Sequence, residues 1–353
     1  MGFGAVLGQS RNAGSSPTTS TGKRTARFSI GTSTNGWTAN DCDYLCDGTD
    51  DQVEINAAIQ ALPSGGGEIV ILDGTYNISA TIDISIDNVI LNGNGSNTVL
   101  VRQWDTYFGG SDTSTFPLIY CNSKCEIINL IINGNNYFNM NNYGIYINLY
   151  RAKCKIENCF LINNYYGIHV GGTTTGSSIS TYYFYIINNY FANNQRDMYI
   201  VFDAASGKIL NNFFDHNLLG YDIGGPSITL NSGGSASGLY NPHYIIISNN
   251  EFIDGSISSN CNYTIFSNNI FTETDGDAIQ INGYYGGTGY YGYNNIINGN
   301  IVIAKDDPTY LSRGISLDNS SKYNLVTNNQ LINGAIINNK GSDNTIINNI
   351  TTP

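Results

Sequence analysis

The chain has 353 residues, enough for one large domain, and 41% of them are apolar while only 12% are charged. Asn (51), Ile (47), Gly (40) and Tyr (26) dominate, whereas the helix-favouring Ala, Leu, Glu and Lys are scarce, which argues against an all-α or ordinary α/β fold. The net charge of −12 disfavours nucleic acid and anionic membranes as partners, and no apolar run reaches the roughly 18 residues that a membrane-inserted helix needs.

Residues 1–36 differ in kind from the rest of the chain. Gly, Ser and Thr dominate this segment, and four basic residues lie within it at positions 11, 23, 24 and 27. The composition predicts a flexible or oligomer-dependent arm, followed by a single domain over 37–353. Residues 1–8 lack the cationic start of a Sec signal peptide, so we expect none.

A short helix is predicted where the domain begins. Thr49-Asp50-Asp51-Gln52 has the pattern of a capping box, and apolar residues follow at helical spacing over about 50–62. Glycines at 65–67 end the helix, and an apolar strand over 68–72 and a turn over 73–76 come next. Because the first rung of a solenoid otherwise exposes its core, we interpret this helix as a cap.

An internal repeat organises the remainder of the chain. Its pattern is a few β-forming residues, a polar residue, Asn, any residue and an apolar residue, and the shortest intervals are 19 to 23 residues. Such an interval suits three short strands and three turns, so the repeat predicts an all-β fold, a single-stranded parallel β-helix of about ten rungs. At the turns, Asn tolerates left-handed geometry and can stack its amide on the copies above and below. The key Asn occurs at positions 92, 129, 158, 189, 212, 250, 269, 300, 329 and 349.

The start of the domain resembles that of a known superfamily. The segment 47–51, the amphipathic helix, Gly65-Gly66-Gly67, the apolar strand and Asp73-Gly74-Thr75-Tyr76 are together similar to the start of pectate-lyase superfamily proteins. That group of right-handed parallel β-helices includes polygalacturonase-like enzymes and bacteriophage tailspikes. Through the tailspikes the resemblance implies a homotrimer, virion attachment through residues 1–36, and a location on the phage tail or outside the cell. It does not imply one activity, because one fold serves many functions.

One strand in each rung carries a second recurring residue, a Gly or Asp, at a similar distance after the key Asn. This residue is called the marked residue, and its strand the marked strand, below. The offset from Asn to a marked Gly or Asp is 9, 8, 10 and 8 residues for Gly167, Asp197, Asp222 and Asp277. The spacing predicts that these residues lie on one line along the solenoid, with Asp197 and Asp222 one rung apart and Asp222 and Asp277 two rungs apart. At about 4.8 Å per rung, these separations are ~5 Å and ~10 Å.

Paired carboxylates hydrolyse glycosidic bonds, at ~5 Å for retention and ~6.5–9.5 Å for inversion. Stacked acids also repel, which pushes one of them toward the protonated form that a general acid needs. We therefore predict Asp197, Asp222 and Asp277 as catalytic carboxylates, and Glu273 and Asp275, which crowd the same turn, could substitute for Asp277. The alternative is that these acids cap turns by accepting backbone N–H bonds.

Three insertions follow the marked strand, over about 171–183, 224–244 and 283–295. Insertions on one face of a repeat protein usually build its binding face. They carry many tyrosines, whose apolar ring and polar tip suit sugars. The predicted glycan-binding residues are His169, Tyr183, Tyr284 and Tyr285, with Glu273 and Asp275 beside them. The alternatives are that the tyrosines pack on one another beneath the loops and that His169 is an ordinary surface residue.

Metal and cofactor chemistry is not indicated, and we expect neither. The three histidines are scattered without metal-ligand spacing. Most of the seven cysteines are interpreted as small buried residues, although Cys42 and Cys46 could pair if oxidised. Cys125 and Cys154 occupy matching places in their rungs, which predicts an interior stack rather than a nucleophile.

The leading hypothesis is a tailspike-like or tail-fibre-like protein that binds a bacterial surface polysaccharide, with hydrolysis as an added activity. One alternative is a non-enzymatic receptor-binding or structural virion protein, which needs the same groove but no carboxylate. Another is a polysaccharide lyase acting on uronates, which needs cations to neutralise the substrate carboxylate. Arg151, Lys153 and Lys155 form the only dense basic site outside the arm, and the Asp-Asp and Gly-His-Gly motifs of polygalacturonases are not found as such.

Overall fold

The computed structural model describes residues 26–104, 117–135, 142–148, 153–171, 183–201, 204, 206–216, 226–231, 242–274, 276–282, 292–306 and 314–353. Within these ranges the chain is nearly all strand, with one α-helix, α1 (Gln52–Gln60), and two short 3₁₀ turns (Ser33–Asn35 and Gly95–Asn97). None of the helices described is long and apolar enough to cross a bilayer.

The strands form three parallel sheets, which run side by side along the coil. Sheet 1 consists of β1 (Ala26–Thr32), β2 (Tyr44–Cys46), β3 (Gly67–Ile71), β6 (Val89–Asn92), β9 (Cys125–Ile128), β12 (Cys154–Glu157), β15 (Phe184–Ile187), β18 (Lys208–Leu210), β21 (Ile246–Ser248), β24 (Ile265–Ser267), β27 (Ile296–Asn298), β30 (Leu325–Thr327) and β33 (Thr345–Ile347). Sheet 2 consists of β4 (Gly74–Ile78), β7 (Thr98–Arg102), β10 (Ile131–Asn133), β13 (Phe160–Ile162), β16 (Tyr190–Ala192), β19 (Phe213–Asp215), β22 (Glu251–Ile253), β25 (Ile270–Thr274), β28 (Ile301–Ala304), β31 (Gln330–Ile332) and β34 (Ile350–Thr351). Sheet 3 consists of β5 (Ile82–Ile84), β8 (Ile119–Cys121), β11 (Tyr143–Asn148), β14 (Tyr166–Gly171), β17 (Arg196–Val201), β20 (Ile228–Asn231), β23 (Ile257–Ser259), β26 (Asp277–Ile281), β29 (Gly314–Leu317) and β32 (Ile337–Asn339).

Successive strands take the three sheets in turn, which makes the molecule a coil of rungs. Strands β3 to β5 form the first complete rung described and β30 to β32 the tenth, and β33 and β34 begin another. Parallel crossovers between strands of one sheet are right-handed. The predicted right-handed parallel β-helix of about ten rungs is confirmed.

The interior of the coil is filled by stacks of like side chains. In β3, Ile69 and Ile71 are fully buried and alternate with more exposed residues, as the period of two requires. Across sheet 2 the rings of Phe191, Phe214, Phe252 and Phe271 stack with centroids 4.9, 4.5 and 4.5 Å apart. Each rung therefore continues the core of its neighbour, which explains why the repeat is visible in the sequence.

Two adjacent asparagines divide the two roles that were predicted for a single Asn, the left-handed turn geometry and the stacking of the amide. In the turn between sheets 1 and 2, the first takes left-handed geometry, as Asn268 does at φ 54°. The second is buried and stacks: Asn269 Nδ2 donates to Asn300 Oδ1 and to the Ile247 carbonyl, both at 3.0 Å. The stacked amides form an unbroken ladder at positions 189, 212, 250, 269, 300, 329 and 349. The predicted stacking is confirmed at these positions.

In the earlier rungs the predicted asparagines also stack, but at the more exposed turn position: Asn129 Nδ2 donates to Asn92 Oδ1 at 3.0 Å, and Asn158 Nδ2 donates to Asn129 Oδ1 at 3.4 Å. Asn129 and Asn158 hold the left-handed position, with φ of 58° and 53°. The buried position beside them is taken by Leu130 and Cys159, which are apolar. Toward the capped end, stacked amides therefore continue at the more exposed turn position, while hydrophobic side chains replace them at the buried position.

The capped end differs from its prediction in two details. Helix α1 is shorter than the predicted 50–62 and buries Ile55, Ala58 and Ile59. Asp51 does not cap the helix through its side chain. Its carboxylate instead accepts hydrogen bonds from the backbone N–H groups of Gly48 and Asn77, at 2.8 and 2.7 Å, and these bonds connect the loop to β4. Strand β1 lies within the segment predicted as an arm and pairs with β3, while residues 1–25 lie outside the described ranges.

Candidate functional site

Long connections distinguish sheet 3 from the other two sheets. Sheets 1 and 2 are usually joined by two residues, as between β12 and β13. The connections that enter or leave sheet 3 contain the segments outside the described ranges, including 105–116, 172–182, 217–225, 232–241 and 283–291. The predicted insertions after β14 and β26 are confirmed in position, whereas the predicted 224–244 insertion contains β20 itself. The outer face of sheet 3 is thus the face that long connections border on both sides.

The first half of this outer face is aromatic. Tyr143 lies 5.2 Å from Tyr166 and 5.9 Å from Tyr146, and Tyr166 stacks on Tyr199 at 5.0 Å between ring centroids. The guanidinium of Arg196 lies 5.9 Å from the rings of both Tyr166 and Tyr199. The whole group, called the sheet 3 aromatic cluster below, consists of Tyr120, Tyr143, Tyr146, Tyr165, Tyr166, His169 and Tyr199.

His169 lies inside this cluster, with only 8% of its surface exposed. Its ring centroid is 4.7 Å from that of Tyr143 and 4.8 Å from that of Tyr146. Burial lowers the pKa of His169 to about 3, so the imidazole is neutral at physiological pH. Gly171 makes room for the ring, because a Cβ there would lie 2.6 Å from His169 Nε2. His169 is therefore a packed part of the aromatic surface rather than an ordinary surface residue.

The second half of the outer face is polar. The strand register continues the outward position of Tyr199 through Thr229, Ser258, Gln280 and Ser316. Two amides flank this row: Asn231 Nδ2 donates to the Tyr199 hydroxyl at 3.1 Å, and Asn282 Nδ2 donates to Ser258 Oγ at 2.8 Å. The face thus presents aromatic rings next to hydroxyl and amide groups, the combination that sugar rings and their hydroxyls can contact.

Asp197 does not reach this face. It is fully buried, where Oδ1 accepts from Asn194 Nδ2 at 3.0 Å and Oδ2 contacts His216 Nε2 at 2.5 Å. Burial alone lowers the pKa of His216, but the carboxylate of Asp197, with Asp254 and Asp215, more than offsets it, and the net shift is upward. The pair is a buried ion pair that ties β17 to the turn after β19.

The predicted line of carboxylates does not form as expected. The strand that stacks on β17 is β20, so Ser227, not Asp222, lies level with Asp197. Asp222 itself lies outside the described residues. Tracing the register from β17 to β26 places Ala278, rather than Asp277, level with Asp197, three rungs away, which is roughly 14 Å. Asp197 and Asp277 are therefore too far apart to form a hydrolytic pair, for which ~5–9.5 Å is required.

A different pair of acids occupies adjacent rungs at the turn between sheets 2 and 3. Hydrogen bonding and register place Asp254 and Glu273 at the same turn position, one rung apart. Both have left-handed backbones, with φ of 52° and 57°, where other rungs use Asn. A Glu in this geometry is uncommon and carries backbone strain. The sequence signal for Asp254 was the Asp-Gly pair two residues after Phe252, but only rung alignment shows its neighbour.

The other predicted binding residues divide between two places. Tyr183 lies at the corner between sheets 3 and 1, 40% exposed, with the Lys153 amine 5.3 Å from its ring centroid. Asp275, Tyr284 and Tyr285 lie outside the described residues. The residues that sequence reasoning missed are the tyrosines of the strands themselves. Their signal was the repeated Tyr143-Gly-Ile-Tyr146 and Tyr166-Gly-Ile-His169, which lies in the strands rather than in the insertions.

Lys153 and Lys155 of the predicted basic site do not lie on this face, where Arg196 contacts the sheet 3 aromatic cluster. Lys155 lies on β12 in sheet 1 and pairs with Glu157 and Glu126, at 2.6 and 3.8 Å between charged atoms. Lys153 precedes the same strand, and Arg151 lies outside the described residues. Among the described residues, the groups of three or more His, Cys, Asp or Glu side chains that could hold a metal ion are the buried Cys121 with Cys125 and Cys154, and Cys46 with Asp51 and the half-buried Glu54. The first set lies in the core, where Cys121 follows Tyr120 of the sheet 3 aromatic cluster on β8, and the second lies at the capped end with α1.

No protein-family model and no curated protein sequence matches this chain. Solved structures do. ORF18 of Geobacillus virus E2 is 16% identical with a TM-score of 0.58, covering 92% of this chain and 61% of its own. The Dettilon tailspike protein (gp208) is 15% identical with a TM-score of 0.55, covering 87% and 66%. The A-module of mannuronan C-5 epimerase AlgE6 from Azotobacter vinelandii is 18% identical with a TM-score of 0.50, covering 87% and 97%.

These likenesses show the fold. This chain spans less than two thirds of the length of the two viral proteins it matches. The resemblance inferred from the start of the domain is therefore confirmed at the level of architecture: the chain is a parallel β-helix of the kind found in tailspikes and in pectate-lyase-like enzymes.

Proposed function

We propose that this protein binds a bacterial cell-surface polysaccharide along the outer face of sheet 3. The observation that carries the proposal is the sheet 3 aromatic cluster, which continues into a row of hydroxyl and amide groups between two borders of long connections. Tyrosine suits sugar rings because its flat apolar surface ends in a hydroxyl and loses little conformational freedom. A tailspike and a polysaccharide-modifying enzyme among the similar structures support the same ligand class.

A role on a phage particle is part of the proposal. Two similar structures are viral, and one is a tailspike by name. Trimer formation, attachment through residues 1–36 and a location on the virion or outside the cell follow from that role. Sedimentation of the full chain tests it: a trimeric mass is expected, and a monomeric mass with the first 36 residues intact contradicts it.

The binding experiment compares polysaccharides and two tyrosine variants. A panel of bacterial surface polysaccharides is immobilised, and binding of the wild type identifies the ligand. Tyr199→Ala removes a half-buried ring of the cluster, and we expect roughly tenfold weaker binding, about 1.4 kcal/mol. Tyr185→Ala is the matched control, because Tyr185 is half-buried on a strand of sheet 1. Equal weakening by both variants, or no binding to any polysaccharide, contradicts the proposed site.

Hydrolysis of the bound polysaccharide is a second candidate function, favoured by the strained turn that carries Glu273. Asp254 and Glu273 are one rung apart, about 4.8 Å, close to the spacing of a retaining pair. Asp277 begins the next strand at the same corner. Asp254 takes the place of Asp197 in the proposed catalytic set, Asp222 and Asp277 stay in it, and Glu273 and Asp275 remain the residues that could substitute for Asp277.

The length of the polysaccharide distinguishes binding from hydrolysis. The wild-type protein is incubated with the polysaccharide that it binds, and size-exclusion chromatography follows the length of the polysaccharide. We expect shortening, with at least a hundredfold loss of rate in Asp254→Asn and Glu273→Gln and none in Asp318→Asn, whose carboxyl lies at the opposite end of a sheet 3 strand. Binding without shortening favours the non-enzymatic receptor-binding protein. Unchanged shortening in the Asp222→Ala, Asp277→Ala double variant removes those two acids from the mechanism.

A further inference from the structure

Three of the seven cysteines converge at one point in the core. Cys121 ends β8 in sheet 3, and Cys125 begins β9 in sheet 1 after a three-residue turn. Cys154 begins β12 and stacks on Cys125 in register. The three sulfur atoms lie within 4.8 Å of one another, and those of Cys125 and Cys154 are 3.1 Å apart. The predicted interior stack of Cys125 and Cys154 is confirmed, but the third thiol comes from a different sheet.

The surroundings of these sulfurs are apolar on both sides. Cys125 and Cys154 lie between Val89 in the rung below and Phe184 in the rung above. Cys121 lies between Ile84 and Ile147 in the same way. All four neighbours are fully buried. The thiols thus replace apolar side chains of the core, and among the described residues no His, Asp or Glu side chain joins the group, although the Ser123 carbonyl accepts from Cys154 Sγ at 3.8 Å.

We propose that Cys121, Cys125 and Cys154 form a three-sulfur site for a soft monovalent metal ion, Cu(I). Soft thiolate ligands select Cu(I), Zn(II) and iron–sulfur clusters. Structural Zn(II) takes four ligands, whereas three sulfurs suffice for Cu(I). Three sulfurs in a plane at about 2.3 Å from a metal have edges of roughly 4 Å, which the observed separations of 3.1 Å and at most 4.8 Å bracket.

The bound ion would join three strands of two sheets, β8, β9 and β12, near the capped end. Each thiol that coordinates as a thiolate releases its proton to solvent, so uptake strengthens as pH rises. Because the ion binds only the folded coil, it also raises thermal stability by mass action. The site lies in the core and is independent of the proposed glycan surface.

The test measures copper retained by the full chain. The protein is produced in copper-supplemented medium, purified without oxygen, and dialysed against a Cu(I) chelator. We expect about one copper per chain in the wild type and at least tenfold less in Cys121→Ala. Cys261→Ala is the matched control, since Cys261 is equally buried but outside the group, and it should retain copper like the wild type. Zinc supplied in a parallel culture should not be retained.

X-ray absorption of the loaded wild type decides the case even where Cys121→Ala fails to fold. Three sulfurs at about 2.3 Å are expected. Two ligands, or nitrogen and oxygen neighbours, would place the ion elsewhere and overturn the proposal. Equal copper in Cys121→Ala and Cys261→Ala overturns it as well, and so does a Cys125–Cys154 disulfide with no copper bound.

Discussion

The buried amide ladder is the feature whose removal has the most calculable cost. Asn269 is fully buried, and its Oδ1 accepts from the backbone N and from the Nδ2 of Asn250, both at 3.0 Å. Its Nδ2 donates to Asn300 Oδ1 and to the Ile247 carbonyl. Asn269→Ala therefore leaves the backbone N–H of Asn250 buried without an acceptor, whereas Asn250 Nδ2 still donates to the Ile209 and Ser248 carbonyls. For one buried orphan donor, we expect a loss of about 1–3 kcal/mol.

The same ladder offers its own control at the last rung. Asn349 Oδ1 accepts the equivalent two bonds from Asn329 at 2.9 Å, but Asn349 is only half-buried. Water can replace its amide, so Asn349→Ala should cost no more than about 1 kcal/mol. Both variants are compared with the wild type by guanidinium unfolding followed by circular dichroism, with unfolding rates where refolding is incomplete. If Asn269→Ala costs no more than Asn349→Ala, burial does not strengthen the ladder and the reasoning fails.

Three further predictions concern individual contacts. The acidic neighbours of His216 raise its pKa, so the stability that it contributes is complete below its unfolded pKa of about 6.5 and is lost as pH rises through the folded pKa. The free energy of unfolding should therefore fall with pH in that window in the wild type but not in Asp197→Asn. Parallel pH profiles of the two proteins would contradict this reasoning. Gly207→Ala should lower the free energy of unfolding by about 1–3 kcal/mol, because the added Cβ would lie 2.0 Å from Phe184 Cζ. Gly276→Ala is the control, since no atom lies within 4 Å of its added Cβ, and its denaturant midpoint should stay near that of the wild type. Tyr323 is 60% exposed at φ 56°, so Tyr323→Asn should raise stability by up to about 1 kcal/mol, and a lower midpoint would show that the ring makes contacts outweighing its strain.

The local rules written in the sequence account for the architecture. Asn doublets such as Asn268-Asn269 mark a turn because one residue tolerates left-handed geometry and the next stacks its amide. The period-two apolar strands and the capping helix follow from burial alone. The likeness to tailspikes and pectate-lyase-like proteins was therefore accessible before any coordinates, and so was the interior position of Cys125 and Cys154.

Which residues make up the candidate site depends on which strands stack on one another. Counting residues from each turn could not predict that stacking. A long connection closes at little extra entropic cost, so the insertion before β20 moved the strand to residues 228–231 without disturbing the coil. Asp222 thereby lost its expected place beside Asp197, whose carboxylate is instead buried against His216. Only the strand pairing of the tertiary structure places Asp254 next to Glu273 and the tyrosines of sheet 3 on one surface. It also places Cys121, at the end of a sheet 3 strand, beside the two thiols of sheet 1.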